Sequence, residues 1–218
     1  MDLASTIRQV LIAVIPILIA ITFHEAAHGY IANKLGDPTA KIMGRLTLNP
    51  LAHIDLLGTI ILPIFLYIFS GFVIGYAKPV PINPHNFKNP KRDMAISAAG
   101  GPVINLILAI LSILIIWLVI FPLARFSPIS FTNTVLVPLH RMLQVSAVIN
   151  VILALFNMIP IPPLDGGRVA VGLLPYRQAV SLSRLEPYGI LIVILLFFVL
   201  KIGYYIFSPV INFVINLT

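Results

Sequence analysis

His24 and His28 stand four residues apart, with Glu25 beside the first, in the run His24-Glu25-Ala26-Ala27-His28. On a helix, residues i and i+4 share a face, so both imidazoles can reach one metal ion. A metal held there activates water, and a carboxylate next to the first ligand can take the proton that the water loses. The setting of the pentapeptide is as informative as its letters. It follows Val10–Phe23, a stretch dominated by Ile, Leu, Val and Ala. A hydrolytic centre at that depth has to cut something inside a membrane.

Hydrolytic zinc takes three protein ligands and keeps a fourth position open. The chain has no cysteine. That excludes thiolate zinc sites, iron–sulfur clusters and disulfides, and leaves His, Asp and Glu as ligands. Among the seven acidic residues, Asp165 stands at the end of a strong apolar span. The helix breakers Pro160, Pro162, Pro163, Gly166 and Gly167 around it can aim it inward. A carboxylate at membrane depth is costly unless it is paired or binds metal. The competing reading makes Asp165 the cap of a short helix starting near Gly166. His53 and Asp55 form a second pair, read either as a local hydrogen-bonding turn or as support at the mouth of the site. His85 and His140 read as interfacial or solvated histidines. Asn105 and Asn157 lie within spans, where an amide needs partners. Each is either an inter-helix hydrogen bond or a donor to a substrate carbonyl and its developing oxyanion. Asn150 reads as structural.

The elements that must position these groups are membrane spans. The chain of 218 residues is 59% hydrophobic and 10% charged, with a mean hydropathy of +1.04. A soluble domain carries about 25% charged residues. The expected fold is an all-α polytopic membrane protein, with a single domain over residues 1–218 and no internal repeat. Four full spans are predicted, at about 4–33, 94–120, 138–158 and 188–207, since about 20 apolar residues cross a bilayer. The run Leu56–Ile74, interrupted by Gly58, Pro63, Ser70 and Gly71, is predicted to be re-entrant or half-embedded. Short β-strands are predicted near the cytoplasmic face, within Ile42–Leu48 and Tyr76–Ile82, where an edge could hold an unwound substrate. Phe121–Phe131 is predicted to be a loop, and the tail 208–218 an interfacial segment. Arg8 ahead of an apolar core looks like a signal peptide, but no small-x-small cleavage site follows it, so the first span is expected to be retained.

Charge gives an orientation. If Leu56–Ile74 does not cross, Lys34, Lys41, Arg45, Lys78, Lys88, Lys91, Arg92, Arg168, Arg177 and Arg184 share one face. Arg8, Arg125 and Arg141 oppose them, and Lys201 falls inside the last span. The positive-inside rule makes the first face cytoplasmic and the N-terminus external. The net charge of +7 then belongs to membrane-flanking loops. No basic cluster is interleaved with aromatics, so nucleic acid is not an expected partner.

Three motifs occur in order: His24-Glu25-Ala26-Ala27-His28, then Gly101-Pro102-Val103-Ile104-Asn105, then Asn157-Met158-Ile159-Pro160-Ile161-Pro162-Pro163-Leu164-Asp165-Gly166-Gly167. Together they resemble the site-2 protease family of intramembrane zinc metalloproteases. The resemblance implies one zinc ion per chain held by His24, His28 and Asp165, Glu25 as catalytic base, and a site facing the cytoplasm of a prokaryotic cell membrane. It associates Asn157, and more weakly Asn105, with substrate binding. It implies a transmembrane protein substrate in the lipid bilayer. No stretch is long enough for the PDZ or CBS domains of some relatives. Substrate choice would then rest on the membrane core or on a separate presenting or regulatory protein. The competing classes are a transporter or channel with a structural metal site, a non-proteolytic zinc scaffold, and a different integral metallohydrolase. Against the first stands the lack of an inverted repeat. Against the second stands Glu25, which metal storage does not need. Against the third stands the Leu164-Asp165-Gly166 context.

Overall fold

A computed structural model describes residues 3–61, 65 and 76–218. Its architecture follows from apolar helix length. Helix α1 covers Leu3–Lys34, α2 Pro90–Phe126, α3 Ile129–Asn157, α4 Asp165–Leu173, α5 Tyr176–Phe197 and α6 Ile202–Leu217. Four of these, α1, α2, α3 and α5, are long and apolar enough to cross a membrane. The chain is therefore an integral multi-pass membrane protein. Helices α1, α2 and α3 pack on one another, α4 lies on α2, and α6 lies on α3.

Small residues let these helices approach, as they must where lipid supplies no hydrophobic drive between helices. Ala20 and Ala32 of α1, Ala98 and Ala109 of α2, and Ala147 and Ala154 of α3 are buried. A Cβ on Gly100 would stand 2.4 Å from Ile31 Cδ1 and 3.4 Å from the Ala27 carbonyl. A Cβ on Gly172 of α4 would stand 2.3 Å from Ala95 of α2. These contacts press the small residues of α2 against α1 on one side and α4 on the other.

Two boundaries differ from the sequence expectation. The predicted loop Phe121–Phe131 is helical except at Ser127–Pro128. A π-turn over Ile116–Ile120 precedes Pro122, and the wider turn eases the clash of the proline ring with the carbonyl behind it. The last predicted span, 188–207, is instead divided. Lys201 adopts a left-handed conformation with φ of 54°, which stops the helix and starts α6, so the apolar tail folds back on α3.

The predicted β-strands are absent: no residue described is in a strand. Ile42 ends a helical turn, Thr39–Ile42, and Met43–Leu48 is irregular. Tyr76–Ile82 is extended but pairs with nothing in a ladder. Pro79 and Pro81 have no N–H to give. Three of the remaining donors go elsewhere: Tyr76 N to Gly58 O at 3.0 Å, Lys78 N to His53 O at 2.9 Å, and Val80 N to the Glu25 carboxylate at 2.8 Å. The Arg45 guanidinium occupies the Lys78 carbonyl at 3.0 Å. The re-entrant expectation for Leu56–Ile74 falls largely outside the described residues; the described part begins as a helical turn, Leu56–Ile61.

One buried carboxylate fastens this connection to the end of α1. Asp37 accepts from Thr39 N at 3.1 Å, Thr39 Oγ1, Asn83 N at 2.7 Å and Asn86 Nδ2 at 2.7 Å. Burial raises the proton affinity of Asp37, and the hydrogen bonds from Asn86, Thr39 and Asn83 outweigh it, leaving the carboxyl below its ordinary range. A carboxylate depressed in the folded state stabilises above its unfolded pKa of about 3.9 and loses that contribution as pH falls through the folded value. The melting temperature of the detergent-solubilised protein is expected to fall as pH drops below about 4. Asp37→Asn should flatten that dependence and lower the neutral-pH midpoint by roughly 5 °C. An unchanged acid limb in the variant would remove Asp37 from this role.

Candidate metal centre

Helix periodicity places His24 and His28 on one face of α1, and that face meets α2. The two Nε2 atoms are 3.1 Å apart. Asp165 Oδ2 lies 3.1 Å from His24 Nε2 and 3.3 Å from His28 Nε2. All three residues are buried, 7–8% exposed. Ligands held about 2.0–2.2 Å from a tetrahedral zinc lie about 3.3–3.6 Å from one another. The observed triangle is a little tighter than that. Despite its short distances to both rings, Asp165 Oδ2 is a buried oxygen without a hydrogen-bond partner. Its neighbours are within reach but not aimed at it, as expected of ligand atoms that point to a common centre.

The far sides of both rings are fixed. His28 Nδ1 meets the Ser97 carbonyl at 2.8 Å. A carbonyl only accepts, so Nδ1 carries the proton and Nε2 presents a lone pair. Asn105 Nδ2 donates to Ala20 O at 3.2 Å and to Asn150 Oδ1 at 2.7 Å. That turns Asn105 Oδ1 toward His24 Nδ1, at 2.5 Å. Asn150 Nδ2 in turn donates to Ser146 O at 2.9 Å. A polar chain thus runs from α3 through α2 to His24 on α1. It satisfies two amides that are 0% exposed, at a depth where an unpaired amide is costly. Such outer partners set the tautomer and direction of a metal-binding imidazole.

Gly101 forms the floor. A Cβ there would stand 2.5 Å from His28 Nε2 and 2.6 Å from His24 Nε2, in the space that a bound cation and the two rings need. Ser97, Gly101 and Asn105 are spaced i, i+4, i+8, one stripe of α2 facing the two histidines. Sequence reasoning placed Gly101 only within the motif Gly101-Pro102-Val103-Ile104-Asn105 and did not single out Ser97. The stripe was the signal that could have found both.

Asp165 arrives by a turn that only glycine allows. Residues 158–164 leave helical geometry between α3 and α4. A Cβ on Gly166 would meet Met158 O at 2.2 Å, one on Gly167 Pro162 N at 2.2 Å, and one on Gly189 Pro162 O at 1.6 Å. These are backbone contacts that cannot shift cheaply, so the turn is packed on both sides and the first residue of α4 is directed at α1.

The other sequence candidates are placed as follows. Glu25 is half-buried, and its Oε2 accepts from Val80 N. Asn157 is half-buried, and its amide donates to Leu153 O of its own helix at 3.0 Å. His53 is buried, with Nε2 on Thr47 O at 2.9 Å, and Asp55 accepts from Gly58 N at 2.7 Å. Neither joins the triad; His24, His28 and Asp165 are the group among the described residues that could hold a metal. An apolar groove of about 360 Å³ lined by Phe23, Ala26, Ala27 and Tyr30 lies on a different face of α1 from the two histidines.

Comparison with known proteins agrees with this geometry. The model of peptidase family M50 matches residues 12–200. The chain is 38% identical over 203 residues to "Putative zinc metalloprotease YwhC" of Bacillus subtilis, covering 91% of this chain and 85% of that protein. It is 28% identical over 209 residues to "Putative zinc metalloprotease Rip2" of Mycolicibacterium smegmatis, covering 91% and 74%. No solved structure matches. A family match over most of the chain sets aside the transporter and scaffold readings. With a buried His-His-Asp centre suited to one zinc ion, carried on helices that cross a membrane, the chain belongs to peptidase family M50 and is an intramembrane zinc metalloprotease.

Proposed function

We infer that His24, His28 and Asp165 are the zinc ligands, that Glu25 is the general base, and that the substrate is a transmembrane segment of another protein. The observation that carries this is the convergence of two imidazole nitrogens and one unpartnered carboxylate oxygen at the depth of α1. Zinc supplies a Lewis acid for the peptide carbonyl and lowers the pKa of water. Glu25 takes the proton from that water as its oxygen adds to the carbonyl carbon, then gives it to the leaving nitrogen as the C–N bond breaks. Asn157, at the end of α3 beside the Asp165 turn, is the donor proposed for the substrate carbonyl and oxyanion. Asn105 acts through His24, holding its ring by Nδ1.

The site is proposed to face the cytoplasm. Gly58 is bonded to Tyr76, His53 to Lys78, Asp37 to Asn83, and Lys91 Nζ to the Leu174 carbonyl. These bonds gather residues 34–61, 76–92 and 165–175 at one end of the bundle. Lys34, Lys41, Arg45, Lys78, Lys88, Lys91, Arg92 and Arg168 lie in or beside these segments, and Arg177 and Arg184 follow in the first turns of α5. His24 and His28 lie about 15 and 9 Å back along α1 from Lys34, at 1.5 Å per residue.

Purified wild type and Glu25→Gln should each hold about one zinc per chain. Cleavage of a model membrane-spanning peptide should fall at least 100-fold in Glu25→Gln, and Asp165→Ala should lose both zinc and cleavage. Full activity in Glu25→Gln would end the base assignment, and full zinc in Asp165→Ala would end the ligand assignment. Gly101→Ala, which puts a methyl against both Nε2 atoms, should lose most of its zinc while keeping its helical circular dichroism; normal zinc content there would mean the site does not use the space above Gly101. Cysteines placed at positions 78 and 91 should react with an impermeant reagent in inverted vesicles and not in intact cells. The reverse pattern would invert the orientation.

A further inference from the structure

We propose that the backbone N–H of Val80 is a positioning group for Glu25, presented by a strap of chain, Lys78–Pro81, that is fastened across the base. The proposal rests on Glu25 being the general base. A glutamate on a helix surface has several rotamers, and a base that wanders loses rate, because reacting groups must be held near their productive geometry. Glu25 Oε2 is held by Val80 N at 2.8 Å.

The strap is built to deliver one donor. Pro79 and Pro81 flank Val80 and have no N–H of their own. Their fixed φ keeps the segment extended. The strap is tied before Val80 by Lys78 N on His53 O at 2.9 Å and by Arg45 on Lys78 O at 3.0 Å. It is tied after Val80 by Asn83 N on Asp37 at 2.7 Å. The Val80 side chain is 7% exposed and rests over Gly29, one turn along α1 from Glu25. A Cβ on Gly29 would come 2.8 Å from Val80 Cγ1, so the absence of a side chain there lets the strap reach the helix. With Oε2 engaged, the other carboxylate oxygen is left for the proton transfer. The same bond explains the otherwise unassigned burial of His53: its carbonyl and ring, on Lys78 N and Thr47 O, anchor the strap.

Because Val80 carries the one exchangeable backbone hydrogen in Pro79–Pro81, its exchange reports this bond directly. In the full-length protein, exchange at Val80 is expected to be slow in wild type and in Glu25→Gln, whose amide oxygen still accepts. It should be at least about tenfold faster in Glu25→Ala, while Lys78, bonded to His53, stays unchanged. Equal exchange at Val80 in all three would overturn the proposal. Val80→Pro deletes the donor and Val80→Ala keeps it. Val80→Pro is expected to keep zinc and KM and to lose roughly 10- to 100-fold in kcat, with Val80→Ala restoring kcat. Equal kcat in the two, or a gain in Val80→Pro, would show that the strap does not position the base. Where Val80→Pro does not fold, seen as lost zinc and lost helix, the exchange result decides. A fully active Glu25→Gln would sink the base assignment and leave the exchange result standing, so the two failures are distinguishable.

Discussion

A carboxylate and two imidazoles converge within the apolar bundle, and the arrangement around them follows from the cost of putting them there. An unpaired charge at membrane depth is expensive, and a buried polar atom without a partner nearly as much so. Asp165 Oδ2 has the two Nε2 atoms as its neighbours. Their other nitrogens are already committed to Ser97 O and Asn105 Oδ1. That leaves three lone pairs facing one another in a buried space. A divalent cation resolves that by meeting all three lone pairs at once.

Bringing His24, His28 and Asp165 together requires three close approaches, and each is made by glycine or another small residue. Gly100 and Gly101 let α2 lie against α1. Gly172 lets α4 lie on α2 beside Ala95. Gly166, Gly167 and Gly189 pack the turn that precedes and directs Asp165. In a bilayer, where lipid tails are as apolar as Leu, such contacts supply packing that greasy surfaces cannot. Here they also set the ligand distances.

The non-helical connection after α1 is tied down with the same economy. Asp37 holds Thr39, Asn83 and Asn86, while His53, Arg45 and Gly58 hold the chain from Tyr76 to Pro79. The donors of Tyr76, Lys78, Val80 and Asn83 go to loop carbonyls and carboxylates instead of a sheet. The strand expectation failed for that reason. The prolines that suggest an extended chain in Tyr76–Ile82 are also what spoil a ladder, which needs regularly spaced donors that Pro79 and Pro81 lack.

The sequence by itself determined that the chain crosses a membrane several times and which residue types could bind metal, in which order; it did not fix every bound, since the predicted span 188–207 is divided at Lys201. Apolar length decides whether a helix crosses a bilayer. The i, i+4 spacing decides that His24 and His28 share a face, and the absence of cysteine decides the chemistry of the third ligand. It left open whether Asp165 would cap a helix or meet the histidines, because it stands 137 positions after His28 and only the docking of α4 on α2 closes that distance. It also left Asn105 divided between substrate and structure. The tertiary fold alone shows its amide engaged by His24, Ala20 and Asn150. Likewise the bond from Val80 to Glu25 has no trace in the sequence beyond a lone donor between two prolines. A backbone N–H carries no letter of its own, and which acceptor it finds is decided by packing.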